Sequence, residues 1–223
     1  MIAVDPTGKT LVNQGVYDLV EAALLLGRGP GQIARWAGPA GRLSAVVSPS
    51  FERAFSFADL VSLRVAAQLR EANVSDHDLR RGVAALRVHF GSERPLADKA
   101  ILGRLATSGR SFLVDLGDGW VDIGHGGQGV FQSVVRLYLQ RLQFNDAGQP
   151  NLWRPAHHVA LDPRIQAGAP CIEGTRVPTA TIADLLQSED AKDIALDFDL
   201  SVEDVFAAAA FEESLERGVA LAL

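Results

Sequence analysis

The chain has little of several features that mark particular classes of protein. It contains one cysteine in 223 residues, which excludes an internal disulfide and a zinc site made of four cysteines. Its apolar runs, such as residues 22–26, are far too short to span a bilayer. The first residues lack the apolar core of a secretory signal peptide. We therefore expect a cytoplasmic protein that makes no membrane contact.

Patterns typical of catalytic and metal sites are also missing. His157 and His158 are adjacent, and on a strand adjacent side chains point to opposite faces. No other histidine or cysteine lies at ligand spacing from them. Cys171 has apolar neighbours, which favours a buried, unreactive thiol. We expect no enzyme activity, no cofactor and no metal site.

One glycine-rich segment does resemble part of an enzyme. From Gly124 to Gly129 the sequence matches the G-x-G-x-x-G pattern of dinucleotide-binding loops. A dinucleotide site needs that loop between a strand and a helix of a parallel sheet. Here the preceding strand belongs to a predicted hairpin, and no strand–helix alternation follows. We interpret the segment as a turn, with a nucleotide-dependent enzyme as a remote alternative.

The net charge of −6 hides an asymmetry along the chain. Residues 26–110 hold 13 Lys and Arg against 7 Asp and Glu, whereas residues 151–223 hold 5 against 13. A locally basic region can approach phosphates even in an acidic protein, and an acidic region is repelled by them. The asymmetry indicates different roles for the two regions, unless it reflects chance clustering on a solvated surface.

Helical periodicity and chain breakers predict two short helices near the N-terminus. Residues 17–26 carry apolar residues at helical spacing and end at a glycine-rich turn. Pro30 suits the first turn of a second helix, which Gly38 stops. Two short helices joined by a glycine-containing turn form the outline of a helix-turn-helix. The same outline also serves as plain scaffold.

Capping signals and changes of period predict the elements that follow. Ser56 with Asp59 begins a longer helix, and Ser75 caps the next one. The remaining predictions are a helix over residues 96–105, a β-hairpin over 111–123, a helix over 130–142 and an extended segment over 153–155.

Several N-terminal residues resemble the MerR-type winged-helix family. They are Tyr17, Glu21 to Ala23, Arg35 and Trp36, Ser56 to Leu60, Leu69 and Arg70, and Val74 and Ser75. The resemblance implies that residues 29–37 form a recognition helix in the DNA major groove, followed by a wing. It implies phosphate or base contacts from Arg28, Gln32 and Arg35, with Arg42 as a further contact.

Residues 161–178, LDPRIQAGAPCIEGTRVP, resemble the start of the domain-of-unknown-function 433 module, which recurs in VapB-type antitoxins. The resemblance implies three helices, predicted over residues 182–186, 191–196 and from 201 to 211 or beyond. The charged side chains of the third helix are almost all acidic, with five carboxylates against Arg217 alone, and DNA would repel such a helix. We therefore interpret the module as a protein-binding or self-association element, with Val205, Phe211 and Leu215 at the interface.

Together these features predict a mainly α protein with a small β-hairpin. A winged-helix, helix-turn-helix region with a helical and hairpin extension would occupy residues 1–155, and a trihelical module residues 156–223. The resemblance implies a DNA-binding antitoxin that neutralises a PIN-like ribonuclease toxin, represses its own operon and forms a homodimer. The alternative is a one-component MerR-like transcription regulator that senses a small molecule through the hairpin and its adjoining helix.

Overall fold

The computed structural model describes residues 14–125, 127–128, 135–136 and 141–218. Its helices are α1 (Leu19–Leu25), α2 (Pro30–Ala37), α3 (Phe57–Glu71), α4 (Asp76–Phe90), α5 (Lys99–Leu102), α6 (Thr179–Leu185), α7 (Ala191–Asp197) and α8 (Val202–Glu216). Its strands are β1 (Leu105–Ser108), β2 (Ser111–Asp115), β3 (Trp120–Asp122), β4 (Gly127–Gln128), β5 (Val135–Arg136), β6 (Leu142–Phe144), β7 (Pro150–Ala156), β8 (Val159–Leu161) and β9 (Cys171–Ile172).

These strands form two antiparallel sheets, in the orders β4-β3-β2-β1-β5 and β6-β7-β8-β9. The predicted fold class, mainly α with one hairpin, is therefore wrong, because the chain combines helices with two sheets. Most strands are only two to five residues long. Strands of that length repeat their side-chain pattern too few times to be recognised from periodicity.

The predicted helical pair near the N-terminus is confirmed as two helices. Asp18 and Glu21 form a capping box that begins α1. Pro30 occupies the first turn of α2, whose buried face carries Ile33 and Trp36. Residues 26–29 connect the two helices.

The next two helices also begin where their caps predict. Ser56 and Asp59 form a capping box at the start of α3, which is buried along most of its length. Ser75 caps α4, which ends at Gly91 in the left-handed conformation, with a φ of 63°. The capping predictions for both helices are confirmed.

Two of the predicted helices differ from the structure. Over residues 96–105, Asp98 caps the short helix α5, which ends at Leu102 before β1 begins. Over residues 130–142, the described residues include Val135, Arg136 and Leu142, and all three lie in strands. The helix predicted there is wrong at these positions, and residues 130–134 and 137–140 lie outside the described part.

The predicted hairpin is confirmed as β2 and β3, with Val114 opposite Val121.

The second sheet crosses the predicted domain boundary between residues 155 and 156. That boundary lies within β7, whose partner β8 follows a turn of two residues. A cut at this position separates two paired strands. The division into residues 1–155 and 156–223 stays a prediction.

Two hydrophobic clusters share helix α8. The larger cluster extends from Tyr17 to Leu215 and includes Phe211, whereas the smaller contains Val205 and Ala208. Val205, Phe211 and Leu215 are all buried within the chain. The expectation that these three residues lie at an interface is wrong. Val205 packs in the smaller cluster, and the end of α8 with Phe211 and Leu215 packs into the cluster that also contains residues of α1 and β8. Among the described helices, none is long and apolar enough to cross a membrane.

Tyr17 connects the N-terminal helices to the segment that precedes β9. Its backbone N–H and carbonyl both bond to Phe55, at 3.0 and 2.8 Å. Its buried hydroxyl donates to the carbonyl of Gly168 at 2.8 Å, and the amide of Val16 donates to the carbonyl of Ala167 at 2.9 Å. Gly168 has a φ of 92°, and a Cβ there would overlap the Tyr17 hydroxyl.

We predict that Gly168→Ala lowers the free energy of unfolding by about 2–5 kcal/mol, because it adds a steric clash to the cost of a left-handed alanine. Gly174→Ala is the matched control, since Gly174 also has a positive φ, 80°, but nothing lies within 4 Å of its Cβ position. Its expected cost is about 1–2 kcal/mol. Denaturant unfolding measures both values, and equal losses would show that the clash with the Tyr17 hydroxyl adds no cost.

Candidate functional site

The four predicted DNA contacts are not equivalent in the structure. Arg35 and Arg42 are exposed, and in the described part of the chain neither forms an ion pair. Gln32 is half-buried on α2. Arg28 is only 24% exposed and is paired with Glu71 of α3. The structure thus leaves Arg35 and Arg42 as the predicted cations that face solvent freely.

Arg28 belongs to a small charge cluster between α1 and α3. Arg64 approaches the same carboxylate of Glu71 at 3.4 Å. Burial lowers the pKa of Arg64 below its ordinary value, and the charge of Glu71 opposes that effect. Because Arg28 shares the Glu71 carboxylate with Arg64, it is engaged within the chain and is less available to a ligand in solvent.

The loop over residues 38–46 is held by arginines of α4. Arg80 is 5% exposed and donates to the carbonyls of Gly38 and Ser44, each at 2.9 Å, and to that of Arg35. Arg87 donates to the carbonyls of Ala45 and Val46 at 2.7 and 2.8 Å. Burial lowers the pKa of Arg87. The segment at the position predicted for a wing is therefore fixed through its backbone carbonyls.

These contacts reduce the number of cations along residues 26–110 that are available to a ligand. Many of its cations have partners within the chain: Arg28, Arg64, Arg70, Arg80, Arg87 and Arg94. The count therefore overstated the charge available to a nucleic acid. One signal could have identified two of them: Arg80 and Arg87 share the helical face of the buried residue Val83.

The glycine-rich loop does not follow the pattern of a dinucleotide site. Strand β3 before it is antiparallel to both β2 and β4. The amides of Gly124 and His125 donate to Asp122 at 3.0 and 3.1 Å. Burial raises the pKa of Asp122, but hydrogen bonds from Ser111 and His125 outweigh it and hold that pKa below the ordinary value. Gly126 and Gly129 lie outside the described residues.

A polar cleft of about 650 Å³ lies beside the start of α3. Arg94 on its wall bonds to the fully buried Asp59 at 2.8 Å. Asp59 also accepts from the amides of Ser50 and Ser56, at 2.7 and 3.0 Å. Arg94 is thus engaged by the carboxylate that caps α3, and sequence analysis identified Asp59 only as that cap.

The single cysteine is buried, whereas the two adjacent histidines lie together in a turn. Cys171 is buried at 3% exposure, and burial raises the pKa of its thiol, which disfavours the nucleophilic thiolate. His157 and His158 occupy the turn between β7 and β8, not a strand. Their ring centroids lie 3.9 Å apart. The prediction that the two rings point to opposite faces is wrong for that reason.

We predict that Arg80→Met lowers the free energy of unfolding by about 2–4 kcal/mol, because backbone carbonyls lose a charged donor that is buried. Arg81→Met is the matched control, since Arg81 is the exposed neighbour on the same helix, and its expected effect is within about 0.5 kcal/mol. Hydrogen exchange over residues 38–46 should become faster in the Arg80 variant alone. Unchanged exchange in this loop would show that Arg80 does not stabilise it.

Comparisons with known proteins agree with one part of the sequence analysis. Residues 159–211 match a family model described as "Protein of unknown function (DUF433)", so the C-terminal module predicted from its sequence is confirmed at that level. A crystal structure of Rv2018 from Mycobacterium tuberculosis is 21% identical, with a TM-score of 0.60 over 86% of this chain and 96% of that one. That likeness shows a shared fold. No curated protein matches.

Proposed function

We propose that the protein is a DNA-binding antitoxin, which neutralises a PIN-like ribonuclease toxin and represses its own operon as a homodimer. The observation that carries the DNA-binding part is the helical pair α1–α2, followed by the loop over residues 38–46, which Arg80 and Arg87 hold through its carbonyls. Arg35 lies on α2 and Arg42 in the loop, both exposed, while Ile33 and Trp36 fix α2 from its buried side. A helix held in this way can present a guanidinium to DNA at little entropic cost.

The antitoxin part rests on the resemblance of the C-terminal module and on its surface chemistry. Phe206 of α8 is 55% exposed, and Val202 one turn earlier is 36% exposed. Exposed carboxylates of Glu203 and Glu213 lie on the same helix. An apolar centre with a charged rim is typical of a protein interface. A nuclease needs a basic surface to hold RNA, and an acidic partner complements such a surface.

The homodimer requires a different surface from the one predicted. Reading two DNA half-sites about one turn apart needs a two-fold dimer. Phe211 and Leu215 are buried within the chain and cannot supply its interface. Exposed apolar side chains on α1, Val20 and Leu24, lie one turn apart and offer a self-complementary strip.

We predict that replacing Arg35 and Arg42 together with alanine weakens binding to the DNA upstream of the gene. Each lost phosphate contact should reduce the slope of log affinity against log salt by about one unit. A base contact by Arg35 would cost about 1–3 kcal/mol and relax specificity at one position. Fluorescence anisotropy across a salt series measures both effects.

The control for this experiment is Arg176→Ala, which removes the same charge from an exposed position in the C-terminal module. It should leave the salt slope unchanged. If the double variant keeps the slope and affinity of the wild type, α2 is scaffold and the DNA-binding proposal fails.

We predict that Phe206→Ala weakens the complex with the toxin encoded beside this gene by about 2 kcal/mol, close to thirtyfold, because a central aromatic anchor is lost. Val88→Ala removes an even more exposed apolar side chain from α4 and should have no effect. Surface plasmon resonance on the full chain is preferable to fragments cut at residue 155, because that cut separates β7 from β8. Equal affinities of both variants would exclude this face of α8.

One observation favours the alternative function, a regulator that senses a small molecule. An apolar concavity of about 520 Å³ lies between α4 and the β2–β3 hairpin, with walls that include Val88, Phe90, Val114 and Leu116. Apolar concavities of this size accept small ligands. A compound that raises the melting temperature and changes DNA affinity would favour the regulator over the antitoxin.

A further inference from the structure

The turn between β7 and β8 meets the first turn of α8 through two histidines and two carboxylates. His157 and His158 form the turn, and Glu203 and Asp204 are the second and third residues of the helix. More than forty residues separate the two pairs, so no local sequence motif announces the cluster. The contact exists only because β8 and α8 pack together.

The spacing of the side-chain atoms matches that of ligands around one cation. The Nε2 atom of His158 lies 3.5 Å from Oε1 of Glu203, and Nδ1 of His157 lies 3.9 Å from the same oxygen. One ligand atom from each of the three residues lies within 4.8 Å of the others. Ligands at tetrahedral positions about 2.1 Å from a zinc ion are separated by roughly 3.4 Å. His157 is 81% exposed, so its ring is free to rotate and bring Nδ1 closer to the other two ligand atoms.

A second observation is independent of this spacing and concerns the other nitrogen of His158. Its Nδ1 atom lies 2.6 Å from Oδ1 of Asp204. Asp204 is itself fixed, because its other oxygen accepts from the amide and hydroxyl of Ser201 at 2.9 and 2.6 Å. A carboxylate that accepts the Nδ1 proton leaves the Nε2 lone pair free toward Glu203. Metal-binding histidines are oriented by carboxylates in this way.

We propose that His157, His158 and Glu203 bind a divalent transition-metal cation of the zinc type, with Asp204 as the positioning residue for His158. Imidazole nitrogens favour zinc, nickel, copper and iron, whereas magnesium and calcium take oxygen ligands. Three protein ligands leave a coordination position for water or for a group of a bound partner. Bound metal joins the β7–β8 turn to α8, and the inference is independent of the proposed function.

Without a metal, the same residues form ion pairs between histidine and carboxylate. The two explanations differ in what they predict for a titration. A metal site takes up one equivalent of Co²⁺, with the visible absorption of a cobalt–imidazole complex, and Zn²⁺ displaces it. Ion pairs alone give no saturable uptake.

The experiment uses the full chain, without a histidine tag and treated first with a chelator. His158→Asn and Glu203→Gln should each weaken Co²⁺ and Zn²⁺ binding at least tenfold, since each removes a ligand. Asparagine is chosen because position 158 has a φ of 60°, which asparagine tolerates. Asp204→Asn should weaken binding tenfold to a hundredfold but keep the stoichiometry of one and a cobalt spectrum. His77→Gln, at an exposed histidine of α4, is the matched control and should bind as the wild type does.

Circular dichroism in the presence of chelator shows whether each variant still folds. Because Asp204 also belongs to the capping box of α8, Ser201→Ala serves as a second check. It removes one of the two hydrogen bonds that fix Asp204 but keeps all three ligands and the Asp204–His158 contact, so its loss of metal affinity should be smaller than that of Asp204→Asn. Absence of saturable uptake by the wild type overturns the proposal. Equal affinity of the wild type and His158→Asn also overturns it, because the metal then binds elsewhere.

Discussion

The hydrogen bond from the Tyr17 hydroxyl to the carbonyl of Gly168 is the contact on which the arrangement of the two ends depends. A buried tyrosine needs a partner for its hydroxyl, and here the partner lies 151 residues away. Burial raises the pKa of Tyr17 far above its ordinary value, and the charges of Glu21 and Asp162 add to the effect. The raised pKa favours the protonated hydroxyl, which is the form that donates to Gly168. The same residue pairs with Phe55, so the entry to α1, the entry to α3 and the segment before β9 are fixed together.

A second constraint is the use of arginine as an internal donor. Arg80 and Arg87 satisfy backbone carbonyls of a loop that has no regular sheet or helix to satisfy them. The guanidinium group suits this role because it presents several donors in one plane and stays charged when buried. Positive charge in the sequence thus divides into a structural part and an exposed part. Only the exposed part, represented by Arg35 and Arg42, is available for phosphate.

The sequence was informative where a structural feature depends on neighbouring residues. Capping boxes at Ser56 and Ser201 involve residues three positions apart, and both helices begin as expected. The short strands were missed because their stability comes from partners distant in the chain, and β5 pairs with β1 across about thirty residues. For the same reason neither the burial of Phe211 nor the approach of His158 to Asp204 could be anticipated. The hairpin β2–β3 was found because its turn is local.

Helix α8 connects the C-terminal module to the rest of the chain, because it contributes to both hydrophobic clusters. Its 15 residues extend about 22 Å. The first half contributes Val205 to the smaller hydrophobic cluster, and the second half contributes Phe211 and Leu215 to the cluster that contains α1. Glu212 follows Phe211 in this second half. Burial raises the pKa of Glu212, and a hydrogen bond from Thr179 opposes that shift. A ligand or partner that binds the first turn of α8 only in the folded state stabilises that state, by an amount that grows with the ligand concentration relative to the dissociation constant. The other end of the same helix packs with α1, so the C-terminal module and the N-terminal helices share one hydrophobic cluster.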